Sequence, residues 1–163
     1  MCKNVKPANH FLQTVYTVLR KIGIKAEILP KNFPEISDIL LGTVHAEEED
    51  FGGYGGAGNV TEAGKFIEPF IIINLHSNKT VIDFMSVMAH EMLHIKQTIC
   101  LQESPHHGNS FRKDSAKFAK LIGVTYWHLN GYDKPALHIF KAIQAKKMRG
   151  FLKDNAERKE KRK

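Results

Sequence analysis

A chain of 163 residues, 42% hydrophobic and 25% charged, has the composition of an ordinary soluble domain and is long enough to bury one sizeable core. With only two cysteines, Cys2 and Cys100, it can build neither a disulfide framework nor a cysteine-rich zinc ribbon, and no apolar run approaches the length of a membrane span. The formal charge of +7 is unevenly placed: ten Lys/Arg stand against three Asp/Glu from residue 141 onward, while residues 1–140 carry fourteen of each.

In chain order, the first element is a helix over Asn9–Ile22. Its apolar face is Phe11, Leu12, Val15, Val18, Leu19 and Ile22, with Gly23 as its stop. Ala26–Leu29 reads as a short strand closed by Pro30, and residues 30–38, with two prolines, read as a connection. Ile39–Glu49 begins as a strand and turns acidic at Glu47, Glu48, Glu49 and Asp50; His45 within it is read as a strand residue and not as a ligand. The glycine-rich run Gly52–Gly58 lacks the Gly-Lys-Ser/Thr of a phosphate loop. It reads as a flexible connection between strands, or as a flap near a cleft in which Tyr54 would be the residue to test. Lys65–Leu75, built around Phe70-Ile71-Ile72-Ile73, is expected as a buried strand, followed by a polar loop in which His76 reads as a loop residue rather than a ligand.

Val81–Cys100 is the stretch around which the rest is organised. Thr80 and Asp83 form a capping-box pattern, and Val81, Phe84, Met88, Met92, Ile95 and Ile99 recur at helical spacing as an apolar stripe. The helix carries His90-Glu91-Met92-Leu93-His94, a match to H-E-x-x-H. Shuffled chains of this composition contain that motif only about 3% of the time, so its place on an amphipathic helix argues for a site. Residues four apart share a helix face, so His90 and His94 can offer two imidazoles to one metal ion. Glu91, about 100° round the helix, can serve as the base for a water. The stripe is expected to pack while the opposite face lines a cleft.

Catalytic zinc usually takes a third protein ligand. Downstream lies Ser104-Pro105-His106-His107-Gly108-Asn109-Ser110-Phe111, where Pro105 and Gly108 suggest a turn back toward the helix. His90, Glu91 and His94, followed about a dozen residues later by His107, Gly108 and Phe111, resemble the H-E-x-x-H … H-G-x-x-F pattern of the SprT-like (Spartan-like) zinc metallopeptidase family. The resemblance is dense over Val81–Phe111 and looser from about residue 8 to 125. It implies that His107 is the third ligand; His106 and Glu103 are the competing candidates. It further implies a zinc-dependent endopeptidase acting on DNA-bound or DNA-crosslinked proteins, with an edge strand beside the metal helix that holds extended substrate through main-chain pairing. That strand would be the one at Lys65–Leu75 or its neighbour.

Beyond Phe111, RKDSAKFAKLIGV is expected as a helix with Phe111, Ser115, Phe118, Leu121 and Ile122 on one side and Gly123 at its end. Val124–Tyr132 is aromatic-rich and reads as packing, and Pro135 opens a further helix to about Lys153. The basic segment 141–163 has the charge to meet phosphates or simply to stay solvated.

The expectation is an α+β fold: a zincin-like core with an N-terminal helix, a small mixed sheet and the H-E-x-x-H helix, then C-terminal helices. The domain would cover residues 1–140, and 141–163 would be a basic tail. Glu91 is the expected catalytic base, His90, His94 and His107 the metal ligands, Zn2+ the cofactor, and a protein substrate and DNA the partners. With no signal-peptide pattern at the N-terminus, the expected setting is cytoplasmic or nucleoid-associated. A nucleic-acid-binding module with a structural or inactive zinc site, and a peptidase unrelated to DNA, are the alternatives.

Overall fold

The computed structural model describes residues 5–47, 52–59, 67–103 and 105–131; for 54–59, 67 and 68 it describes the backbone alone. The expectations for Cys2, Glu48–Asp50, the helix from Pro135 and the basic tail lie outside these residues. The chain divides into two units, Met1–Asn130 and Gly131–Lys163, and the first holds the sheet and the four α-helices found among the described residues.

The fold is α+β. A four-stranded sheet runs in the order β1–β2–β4–β3, formed by β1 (Lys6–Pro7), β2 (Leu40–Val44), β3 (Gly53–Asn59) and β4 (Ile67–Asn74). β2 and β4 are parallel, and β1 and β3 flank them antiparallel. The helices are α1 (His10–Lys25), α2 (Val81–Ile95), α3 (Asn109–Ile122) and the single turn α4 (Tyr126–Leu129). Ile71 and Ile73 of β4 meet Met88, Met92 and Ile95 of α2 in one core that α1 and α3 close with Tyr16, Leu19 and Phe118. Among the described residues, no helix is long and apolar enough to cross a membrane.

α1 begins where Asn9 Oδ1 accepts the Leu12 amide at 3.0 Å, and its buried line is Leu12, Tyr16, Leu19 and Gly23. That line is rotated from the expected one. Tyr16 is fully buried because its hydroxyl donates to Pro34 O at 2.7 Å, while Phe11 and Val18 are left exposed. Gly23 is not a stop, since the helix runs on to Lys25. The expected strand at 26–29 is instead a turn: Glu27 adopts φ 59°, and the Ile28 and Leu29 amides both donate to Gly23 O. Both side chains are thereby folded back into the core, which the open end of a strand would not achieve.

The glycine run is neither a connection nor a flap. It is strand β3, paired with β4 from Gly53↔Ile73 to Asn59↔Ile67. Its low side-chain content conceals its period, but it also permits close approach. A methyl on Gly53 would lie 2.8 Å from Val87 Cγ2 and 3.0 Å from Ile72 O, so this glycine lets β3 lie directly against α2. Among the described residues β4 is therefore interior to the sheet, with β3 at one edge and β1 at the other. β2 is shorter than the expected Ile39–Glu49, ending at Val44.

α2 starts with the expected capping box: Thr80 Oγ1 accepts the Asp83 amide and Asp83 Oδ2 accepts the Thr80 amide. Met88, Met92 and Ile95 are fully buried, but Ser86, Val87, Ala89, Glu91, Leu93 and His94 are buried as well. The helix is thus enclosed on most sides rather than packed on one, and Val81 at its start is exposed. Its last expected turn, Lys96–Cys100, is π-helical. α3 ends as expected, with Gly123 left-handed at φ 75°, and Ser115 is fully buried on its packed face; Leu121, expected there, is exposed.

Gly23→Ala sets two effects against each other. Helix propensity favours Ala by about 1 kcal/mol, but the added methyl would stand 2.6 Å from Leu29 Cδ1 and 2.7 Å from its Cγ. Overpacking of that kind costs about 1–3 kcal/mol, so a denaturant titration should show net destabilisation. A stabilised variant would mean that Leu29 can move aside freely.

Candidate metal centre

The site is assembled from α2 and the return of the chain after it. The π-turn Lys96–Cys100 alters the helical phase, the Leu101 amide donates to Lys96 O, and the Glu103 amide donates to Gln97 O at 2.8 Å. With Gln102 at φ 54°, the chain reverses and brings His107 over the face that carries His90 and His94. The turn expected around Pro105–Gly108 does fold back to the helix.

His107 Nε2 lies 3.1 Å from His94 Nε2 and 3.3 Å from His90 Nε2. Ligands about 2.0–2.1 Å from a tetrahedral zinc stand about 3.3–3.4 Å from one another, so these spacings suit one shared ion of that size. The three rings share a floor. Phe111, buried at the start of α3, stacks on His94 with centroids 4.7 Å apart and meets His90 and His107 edge-on at 5.1 and 4.9 Å.

The outer hydrogen bonds settle the tautomers. Gln97 Nε2 donates to His106 O at 2.8 Å, and Gln97 Oε1 accepts the His106 amide at 3.2 Å. The oxygen is therefore the atom that faces His94 Nδ1 at 3.0 Å, and that nitrogen must carry the proton. In the same way Asn130 Nδ2 donates to Tyr126 O at 2.8 Å, so Asn130 Oδ1 accepts from His90 Nδ1 at 3.0 Å. Both Nε2 atoms are then bare lone pairs pointing at a common place, a donor set that fits a divalent ion.

Electrostatics favour the same state. Burial, reinforced by the nearby His94 and His107, pulls the His90 imidazole down to about 3. Burial also lowers His94, and loss of water around its ring lowers His107, although the residue as a whole is exposed. Near pH 7 all three are neutral, as metal ligands must be.

Glu91, 6% exposed, lies one step along the helix from His90. A methyl on Gly53 would be 3.5 Å from its Cγ, so the carboxylate-bearing side chain sits beside the start of β3. The competing ligands are elsewhere. His106 Nδ1 accepts the Gly108 amide and its Nε2 lies 3.2 Å from Glu103 Oε2, so neither His106 nor Glu103 joins the cluster.

Gln97 and Asn130 have no signal in the sequence motif. Gln97 follows His94 by three residues, a spacing that could have flagged it; Asn130 comes from 40 residues away. Asn130 is held by α4, which His128 fixes to the N-terminus of α2 through a 3.0 Å contact with Asp83 Oδ1. Burial works against the charge of Asp83, but the Lys79 and Thr80 amides, His128 and the Thr80 hydroxyl hold its carboxyl below the usual range.

Gln97→Ala and Asn130→Ala should each weaken zinc or cobalt binding by about 10–100-fold, the usual cost of removing such a partner. Competition with a chromophoric chelator measures it; unchanged affinity would mean that the tautomers are set some other way.

Set against protein-family models, curated proteins and solved structures, the chain matches none of them, so the reading of the centre rests on its own residues.

Proposed function

We propose that this chain is a zinc-dependent peptidase of the SprT-like type, with a zincin-like core, that cleaves DNA-associated or DNA-crosslinked proteins. The observation that carries the reading is the convergence of His90, His94 and His107 Nε2 at the helix that carries the buried Glu91, against a strand that is at the sheet's edge among the described residues. Zinc bound there supplies a Lewis acid for the scissile carbonyl and a water acidic enough to react near neutral pH.

The chain's own residues do the rest. A Glu91 carboxylate oxygen takes the proton of the attacking water and returns it to the leaving nitrogen. Gln97 and Asn130 keep the imidazoles aligned and in the right tautomer. β3 pairs with β4 on one side only among the described residues, which leaves its outer main chain to add an extended peptide as a further strand. Pairing through the main chain asks little of substrate side chains, and this suits an enzyme that meets many proteins. The DNA part of the reading rests on the family resemblance and on the basic segment from Lys141 to Lys163.

Glu91→Gln should retain its metal yet cleave a DNA-crosslinked protein about 100- to 10,000-fold more slowly, the range expected for loss of a general base. A metal-loaded Glu91→Gln chain as active as wild type would sink the mechanism. Single-stranded DNA should stimulate the wild type. Glu91-dependent cleavage indifferent to DNA would leave a peptidase of another purpose, and metal and DNA binding without cleavage would leave a binding module.

Deletion of residues 154–163 removes five Lys/Arg and three Asp/Glu. DNA affinity should fall, and the slope of log K against log salt should flatten by about 0.7–0.9 for each phosphate that the shortened chain no longer neutralises. An unchanged slope would show that the tail does not touch DNA.

A further inference from the structure

A second convergence of ligand atoms lies at the end of the sheet. His45 and Glu47 follow β2, and His76 follows β4; one ligand atom from each falls within 4.8 Å of the others. His45 Nε2 is 3.2 Å from Glu47 Oε1, close to the separation of about 3.3–3.4 Å between two ligands of one tetrahedral zinc. The His45 and His76 rings stand edge to face at 5.3 Å. Two imidazoles and a carboxylate suit a divalent metal such as zinc, nickel or cobalt, and poorly suit calcium or magnesium, which prefer oxygen alone.

The backbone that presents these groups is held from beneath. Asn74, fully buried at the end of β4, accepts the Ala46 amide at 3.0 Å and the His76 amide at 3.1 Å on its Oδ1 and donates to Ala46 O at 3.0 Å. One side chain thus fixes the residue between His45 and Glu47 and the amide of His76 itself. The Leu75 amide closes the same corner by donating to Val44 O at 2.7 Å. The three ligands project from a braced corner, although all three side chains are exposed.

We propose that His45, Glu47 and His76 form a second divalent transition-metal site, separate in its residues from the first and independent of the peptidase reading. An ion there would clip the end of β2 to the turn after β4 and keep at least one position open to water or to a group from a partner.

The test is zinc stoichiometry on the full, untagged chain. Wild type and the His45→Ala/His76→Ala double variant are dialysed to equilibrium against the same buffered zinc, and bound metal is counted by mass spectrometry. The histidines are chosen because Glu48, Glu49 and Asp50 follow Glu47 in sequence and could replace it. The double variant should bind one ion fewer per chain. Equal stoichiometry overturns the proposal, whatever the first centre does. As a second readout, His107→Ala disables the first centre. A zinc-induced rise in Tm should survive in that chain and disappear when His45→Ala/His76→Ala is added; no such rise, or one that persists in the triple variant, also overturns it. Both exposed substitutions should leave the Tm in excess chelator unchanged, which separates lost binding from lost folding.

Discussion

Two lone pairs that point at one place repel unless a cation or an N–H donor lies between them, and this protein holds His90 and His94 in that condition. Gln97 and Asn130 each accept a proton from an Nδ1 atom, so each Nε2 faces inward bare. Burial keeps His90 from escaping the conflict by protonation. His107 then arrives from another segment to complete the triangle, with Phe111 beneath all three rings. Three neutral imidazoles, edge-on or tilted to one another, converge on one place, and the arrangement makes chemical sense as a cradle for a metal ion.

Every neighbouring element serves this constraint. α2 is enclosed on most sides, which gives its histidines fixed positions instead of the freedom of a surface helix. The π-turn places Gln97 where it can hold His94 and the backbone of His106 together, and thereby sets the path of the chain into His107. The capping box does double duty: Asp83 closes the N-terminus of α2 with one oxygen and anchors His128 with the other. Through α4 this sets the position of Asn130 against His90. Asp83 is thus connected to the candidate ligand His90 through His128, α4 and Asn130.

The sheet contributes through an unusual strand. β3 has glycine where strands usually have branched side chains, and this lets its backbone come against α2 beside Glu91. The corner where β2 and β4 end, braced by Asn74, presents a separate group of candidate ligands, His45, Glu47 and His76.

Local patterns are enough for the elements whose causes are local. The capping box at Thr80–Asp83, the helical spacing through α2, the run of isoleucines in β4 and the glycine end of α3 each depend on residues a few positions apart, and each can be read from the sequence. H-E-x-x-H places two candidate ligands on one helix face for the same reason. Periodicity says less where tertiary contacts decide. It takes Gly23 for a stop, because close packing on Leu29 cannot be told from a cap without the partner; it also misses β3, whose glycines have no alternation to display. The choice of His107 over His106 and Glu103 needs the actual path of the chain after the π-turn. Asn130 lies beyond any motif, since a contact 40 residues distant exists only once α4 is packed on α2. Residue identity and local spacing thus establish which side chains could ligate a metal and which helix carries two of them. Only the folded chain brings His107 to the pair, sets the proton that His90 and His94 keep and lays β3 beside Glu91, because these depend on distances across the fold that no local spacing encodes.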